Sequence, residues 1–122
     1  MNTKVFENIT GIGDLYLDKV LNTFEGENIV FVCEDVDGKY YFCICYEFRF
    51  PFGWVLTEIT IDDLQKVLTG QMDMHLLYKN SSFIVQVTQS NEIKTTITDY
   101  EHIDKHYLPT EGVLLNTYED ES

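Results

Sequence analysis

Basic residues are scarce in this chain. Eight lysines and arginines face 21 aspartates and glutamates, for a net charge of −13 over 122 residues. A surface field of that sign repels phosphate, so direct nucleic-acid binding is disfavoured. Long apolar runs are also missing: none approaches the ~18 residues of a membrane span. The N-terminal stretch MNTKVFENITG has neither an apolar core region nor a small-residue cleavage site, so it does not read as a secretory signal. Without one, the glycosylation patterns Asn8-Ile9-Thr10 and Asn80-Ser81-Ser82 carry no weight, and the expected location is cytoplasmic. Glycine-rich phosphate loops are absent, since Gly11-Ile12-Gly13 is a lone pair without the helix fingerprint. Disorder is excluded as well, because 44% of residues are hydrophobic and 14% aromatic. A chain of this length is expected to form one domain that buries about two-thirds of its unfolded surface.

What the sequence does have is a β-hairpin at its centre, within NIVFVCEDVDGKYYFCICYEFRFPFGW (28–54). Asp37-Gly38 is a preferred two-residue turn, because both central positions of a type I′ turn need positive φ. Ile29–Cys33 and Tyr40–Tyr46 flank it with valine, isoleucine, phenylalanine and tyrosine. The second strand is apolar on both faces, which predicts a central strand covered on each side.

Cysteine is limited to three residues, Cys33, Cys43 and Cys45, all in this hairpin. A two-residue turn at 37–38 sets Cys33 opposite Phe42, so Cys43 and Cys45 point away from it. A three-residue turn would oppose Cys33 and Cys43, and only then could they bond. Zinc needs a closed set of four ligands that this spacing lacks. The expectation is three buried thiols in a reducing compartment.

In chain order, Gly11 and Gly13 mark a turn before a first strand at Leu15–Leu21, which ends at Phe24-Glu25-Gly26. After the hairpin, Pro51 removes a ladder donor and Gly53 permits a bend, and Trp54–Ile59 reads as another strand. The best helix follows, with Thr60 as N-cap, Asp63 at the capping-box position and Gly70 as the C′ residue. Ile61, Leu64, Val67 and Leu68 form its apolar stripe. A short helical turn at Met72–Tyr78 is expected next, broken by Asn80-Ser81-Ser82. Phe83–Thr88 and an alternating Ile93–Thr98 read as strands. Tyr100–Tyr107 reads as a helical turn, Val113–Leu115 as a last strand-like piece, and Tyr118–Ser122 as a fraying acidic tail. The predicted fold is α+β: a meandering antiparallel β-sheet with one or two short helices on one face.

Chemistry is hard to find in these residues. His102 and His106 are spaced i, i+4 among Asp99, Glu101 and Asp104, but no third convincing ligand is near and the segment before Leu108-Pro109 is short, so a solvated face is preferred to a metal site. The cysteines sit on an apolar, acid-flanked strand that favours the neutral thiol over a nucleophilic thiolate. Neither catalysis nor a cofactor is expected.

Two clusters are candidates for partner contact. Phe48, Arg49, Phe50, Phe52 and Trp54 are residue types that dominate binding hot spots. They either fold back to plug the end of the sheet or stay exposed, marking a protein partner or a self-association face. Glu34, Asp35 and Asp37 crowd the hairpin tip and would suit a basic partner surface, although acidity can also serve solubility alone.

The runs FEGENIVFVCEDVDGKYYFCICYE, WVLTEITIDDLQKVLTGQMDMHLLY and YLPTEGVLL resemble a family of small bacterial domains of unknown function. The matching positions are Phe31, Asp37, Gly38, Tyr41, Trp54, Ile59, Leu64, Gly70, Leu108, Pro109 and Gly112, spread over about three-quarters of the chain. The resemblance implies the fold and a bacterial or phage origin, and it carries no activity. Together these features predict a non-enzymatic protein that docks on a partner, as immunity proteins, antitoxins and phage anti-defence proteins do. Two further readings stand beside it: a nucleic-acid mimic whose carboxylates occupy a nuclease channel, and an accessory subunit of a larger bacterial defence complex. An enzyme ranks last.

Overall fold

In the computed structural model, which describes residues 3–115, seven antiparallel strands follow one another across one sheet. They are β1 (Lys4–Ile9), β2 (Gly13–Phe24), β3 (Glu27–Glu34), β4 (Tyr40–Glu47), β5 (Phe52–Ile59), β6 (Ile84–Gln89) and β7 (Ile93–Thr98). Between β5 and β6 lie two helices, α1 (Ile61–Leu68) and α2 (Met74–Lys79). The expectation of an antiparallel sheet with two short helices therefore holds in outline, and β4 occupies the middle of the strand order. Its apolar residues on both faces are buried because each face meets its own core.

On the first face, Val30, Val32, Phe42, Ile44, Val55 and Ile84 pack against Leu64, Val67, Met74, Leu77 and Tyr78 of the helices. Ile103, Leu108 and Leu115 extend that layer from the C-terminal segment. On the second face, Phe31, Cys33, Tyr41, Cys43, Leu56, Val85 and Val87 pack against Phe6, Ile9 and Leu15. The sheet's own first hairpin thus covers its second face. In a flat sheet, β1 and β5 would stand about 19 Å apart at ~4.8 Å per strand. The rings of Phe6 and Trp54 are instead 5.2 Å apart. The turn at Gly11 also approaches Ile97 of β7, so that a Cβ on Gly11 would lie 3.3 Å from the Ile97 Cδ1. The sheet is consequently a near-barrel, not the open meander with one covered face that the sequence suggests.

Strand β1 escapes sequence analysis for a local reason. Its buried residues, Phe6 and Ile9, are three apart, because the β1–β2 ladder slips between them and Asn8 adopts φ 55°. That spacing hides the alternation of a strand. Val113–Leu115 is not a strand, and the helical turn expected at Tyr100–Tyr107 is one hydrogen-bonded turn, closed by Ile103 N–H to Asp99 O at 3.0 Å, followed by a 3-10 turn at Lys105–Tyr107. The acidic tail at 118–122 lies outside the described residues.

Helix α1 forms as its sequence dictates. The Thr60 hydroxyl accepts from the Asp63 N–H at 3.0 Å. At the other end Gly70 takes φ 79°, and the Gln71 and Gly70 amides donate to Lys66 O (2.8 Å) and Val67 O (3.2 Å), a Schellman closure. Leu64 and Val67 are buried, whereas Ile61, read as part of the stripe, faces solvent. In α2, the Asp73 carboxylate accepts from Leu76 N–H (2.9 Å) and from Gly112 N–H (2.8 Å). The cap of this helix thereby fastens the irregular C-terminal segment to α2.

Candidate functional site

The two sequence candidates lie at opposite ends of β4. That strand's eight residues separate them by about 25 Å. They cannot form one site.

At the hairpin tip the acids are partly consumed by the turn itself. Asp35 is buried, and its carboxylate accepts from Asp37 N–H and Lys39 N–H, both at 2.9 Å. The Asp35 amide donates to Lys39 O (2.9 Å), and Gly38 takes φ 86°. This is a three-residue loop, 36–38, in place of the expected two-residue turn at 37–38. The carboxylate satisfies amides that a tighter turn would satisfy through the backbone. Glu34 is half-buried, and Asp37 alone of the three candidates is fully exposed.

The loop length resets the register. Cys33 pairs with Tyr41, not with Phe42, and Cys43 pairs with Phe31. Cys33, Cys43 and Cys45 therefore share the second face, contrary to the expectation that Cys33 points away from the others. Nor is Cys43 directly opposite Cys33; it is the diagonal neighbour, and all three thiols are free. Burial pushes the Cys43 thiol well up, and that of Cys45 up as well. Tyr41 on the same face is pushed up to about 12, first by burial and then by Glu58, Asp35 and Asp37. Both shifts favour the neutral thiol at Cys43 and Cys45 over a nucleophilic thiolate.

At the other end, the aromatic run divides between strand and loop. Phe52 and Trp54 belong to β5, which begins two residues earlier than the sequence suggests. Their rings stack at 6.0 Å, and Trp54 meets Phe6 edge-on at 5.2 Å, so both are half-buried extensions of the second core. Phe50 sits edge-on to Phe52 at 6.2 Å but is 63% exposed at the loop tip, before a cis peptide to Pro51. Phe48 packs on Phe24 of the β2–β3 turn at 5.0 Å, and Phe24 is itself 50% exposed. Arg49 lies exposed over the Phe48 ring at 5.8 Å. Gly53 is required where the strand resumes, since a Cβ there would enter the Tyr46 ring. Of the two sequence readings, plugging describes Phe52 and Trp54, and exposure describes Phe50.

Sequence reasoning missed Phe24 and the groove beside it. A depression of about 630 Å³ opens next to the Phe24–Phe48 pair on the first face. Ile29, Val30 and Ile44 belong to its sheet wall, while Met74, Leu108 and Val113 close the other side. Glu25 and Glu27 flank Phe24, Glu47 precedes Phe48, and all three are exposed. The β2–β3 turn beside it has φ 51° at Glu25 and 84° at Gly26, a pair of left-handed residues that the sequence analysis places at 37–38. The signal available in the sequence was Phe24-Glu25-Gly26, an acid-glycine pair weaker than Asp37-Gly38, because glutamate tolerates positive φ less well than aspartate.

The histidines separate by role. His102 and His106 do not share a helix face; each pairs with its own local acid, Asp99 at 2.7 Å and Asp104 at 3.0 Å. Those contacts, led for Asp104 by the His106 amide, hold both carboxyls below their usual range. Among the described residues no three His, Cys, Asp or Glu side chains converge as metal ligands would. The buried histidine is His75, whose Nδ1 lies 2.9 Å from the Pro109 carbonyl and whose Nε2 lies 2.8 Å from the Tyr100 hydroxyl. The carbonyl can only accept, so His75 Nδ1–H donates to it, and Nε2 pairs with the Tyr100 hydroxyl. His75 is a brace for the C-terminal segment.

Family models, curated proteins and solved structures contain no match to this chain. Among the described residues no helix is long and apolar enough to cross a membrane.

Proposed function

We propose that this chain is a non-enzymatic, cytoplasmic binding module of bacterial or phage origin that docks on a partner protein through its aromatic end. The observation that carries the reading is the apolar groove of about 630 Å³ beside exposed Phe24, with Phe50 projecting from the neighbouring loop. Large aromatics standing in water beside a recess are the usual anchors of a protein interface. The exposed carboxylates of Glu25, Glu27 and Glu47 outnumber the single guanidinium of Arg49 at this end. A complementary partner therefore presents apolar side chains framed by lysines or arginines. The bacterial or phage origin rests on the motif resemblance alone.

The net charge of −13 favours one narrower version, in which the carboxylates occupy the phosphate channel of a nuclease. Affinity capture with tagged protein, with and without nuclease and across a salt series, separates the versions. A stoichiometric protein partner that survives nuclease treatment supports docking. Strong loss with salt and displacement by added DNA identify the mimic. Absence of any stoichiometric protein partner from the native host's lysate contradicts both.

A further inference from the structure

The negative charge of this protein is not evenly spread. Only one of its 21 acids, Glu92, falls within residues 79–98, together with two of its eight bases, Lys79 and Lys94. That span contains β6 and β7, the two strands of the sheet without an acid. Among the described residues β7 pairs with β6 only, so no strand occupies its other edge, and the Gly11 turn approaches it at the Ile97 side chain alone. Ile93 and Ile97 are 51% and 48% exposed on it. Pairing of Ile93 with Gln89, Thr95 with Val87 and Ile97 with Val85 sets all three β7 residues on the second face.

We propose that β7 is a self-association edge, at which a second copy of this chain adds its own β7 antiparallel across a two-fold axis at Thr95. Charge selects the occupant. Two copies carrying −13 each repel wherever acids face acids, and this corner is where that repulsion is weakest. Register selects the axis. A two-fold at Thr95 sets Ile93 of one copy against Ile97 of the other, twice, and continues the second face across both sheets. Lys94 then faces Thr96 and Glu92 faces Thr98, so no like charges meet. An axis one residue earlier opposes the two Lys94 side chains, and one residue later opposes Ile93 to Asp99. Exposed edges of this kind pair readily unless they are blunted. In this register the single blunting lysine is accommodated. The proposal does not depend on the docking role of the aromatic end, which lies on other strands.

Sedimentation velocity on the full chain and a cysteine cross-link test it. The wild type is expected as a dimer whose dissociation constant falls as salt rises, because screening weakens the repulsion between the acidic remainders. Thr95→Cys should cross-link to its own copy under mild oxidation, since directly opposed Cβ atoms stand about 5 Å apart. Thr98→Cys should not, because its two copies would be about 20 Å apart along the strands. The native cysteines are buried and do not compete. The double variant Ile93→Lys, Ile97→Lys should raise the dimer dissociation constant about a hundredfold or more, equivalent to two steps of tenfold. Both side chains are half in water already, so an unchanged circular dichroism spectrum would show that the fold persists. A wild type that stays monomeric at ~100 µM in high salt, or a dimer that ignores the double variant and cross-links at 98 but not at 95, would overturn the proposal.

Discussion

The two ends of β4 carry similar sequence signals and do different things. Both show an acid-rich turn beside aromatic strand residues, and both invite a partner on paper. At the 36–38 loop the acid Asp35 turns inward and caps two amides, so the turn uses its own charge. At the opposite end such use is slight: exposed Glu47 accepts a single amide, Arg49 N–H at 3.2 Å, while Phe24 and Phe50 stay in water and Glu25 holds a left-handed backbone beside them. A cluster of binding-type residues thus becomes a candidate surface only where the fold leaves it unspent.

That contrast can be broken by mutation. The largest effect expected is on affinity: Phe50→Ala should weaken partner binding by about 2 kcal/mol or more, as hot-spot aromatics do. Its melting temperature should hardly move, because the ring is mostly in solvent. Asp35→Ala should behave inversely. Loss of two amide bonds to a carboxylate should cost about 1–3 kcal/mol in denaturant unfolding while the partner still binds. Equal loss of binding in both variants would erase the distinction between the ends.

Alkaline pH probes the core between them. Burial raises the Cys43 thiol and the Tyr78 hydroxyl well above their ordinary values. In the unfolded chain these groups lose protons near ~8.5 and ~10. The folded chain keeps them, so this stability is complete below about pH 8.5 and declines as pH climbs through the raised folded values. Urea midpoints should therefore be flat around neutrality and fall on the alkaline side. Matching this, Cys43 and Cys45 of the folded protein should resist alkylation at neutral pH.

Substitutions in the two turns should have smaller effects. Glu25→Asn, which forms the Asn-Gly pair that type I′ turns prefer, should raise stability by about 0.5–1 kcal/mol through relief of left-handed strain. Asp37→Asn, fully exposed at the other tip, should stay within about 0.5 kcal/mol in stability and leave the partner bound.

Much of this fold was legible because its signals are local. Thr60 and Gly70 bound α1 through caps that need no tertiary context, and the unbroken apolar run of β4 announces a strand covered on both sides. The rest depends on contacts distant in sequence. The curl toward a barrel appears only in the approach of Phe6 to Trp54 and of Gly11 to Ile97. The hairpin register turned on one side chain, Asp35, choosing the amides of 37 and 39, and that choice moved every cysteine assignment with it. For the candidate site, Phe48 and Phe50 were visible as types, but Phe24 joins them only because the β2–β3 turn folds beside the β4–β5 loop. His75, invisible against the metal-like spacing of His102 and His106, is the histidine that the structure uses.

The most direct measurement compares baits in quantitative affinity capture from the native host: wild type, Phe50→Ala and Asp37→Asn at equal loading. Docking through the aromatic end predicts one stoichiometric partner on the wild-type and Asp37→Asn baits, and its loss from Phe50→Ala. The same partner retained by Phe50→Ala and lost from Asp37→Asn would place the interface at the hairpin tip and contradict the account.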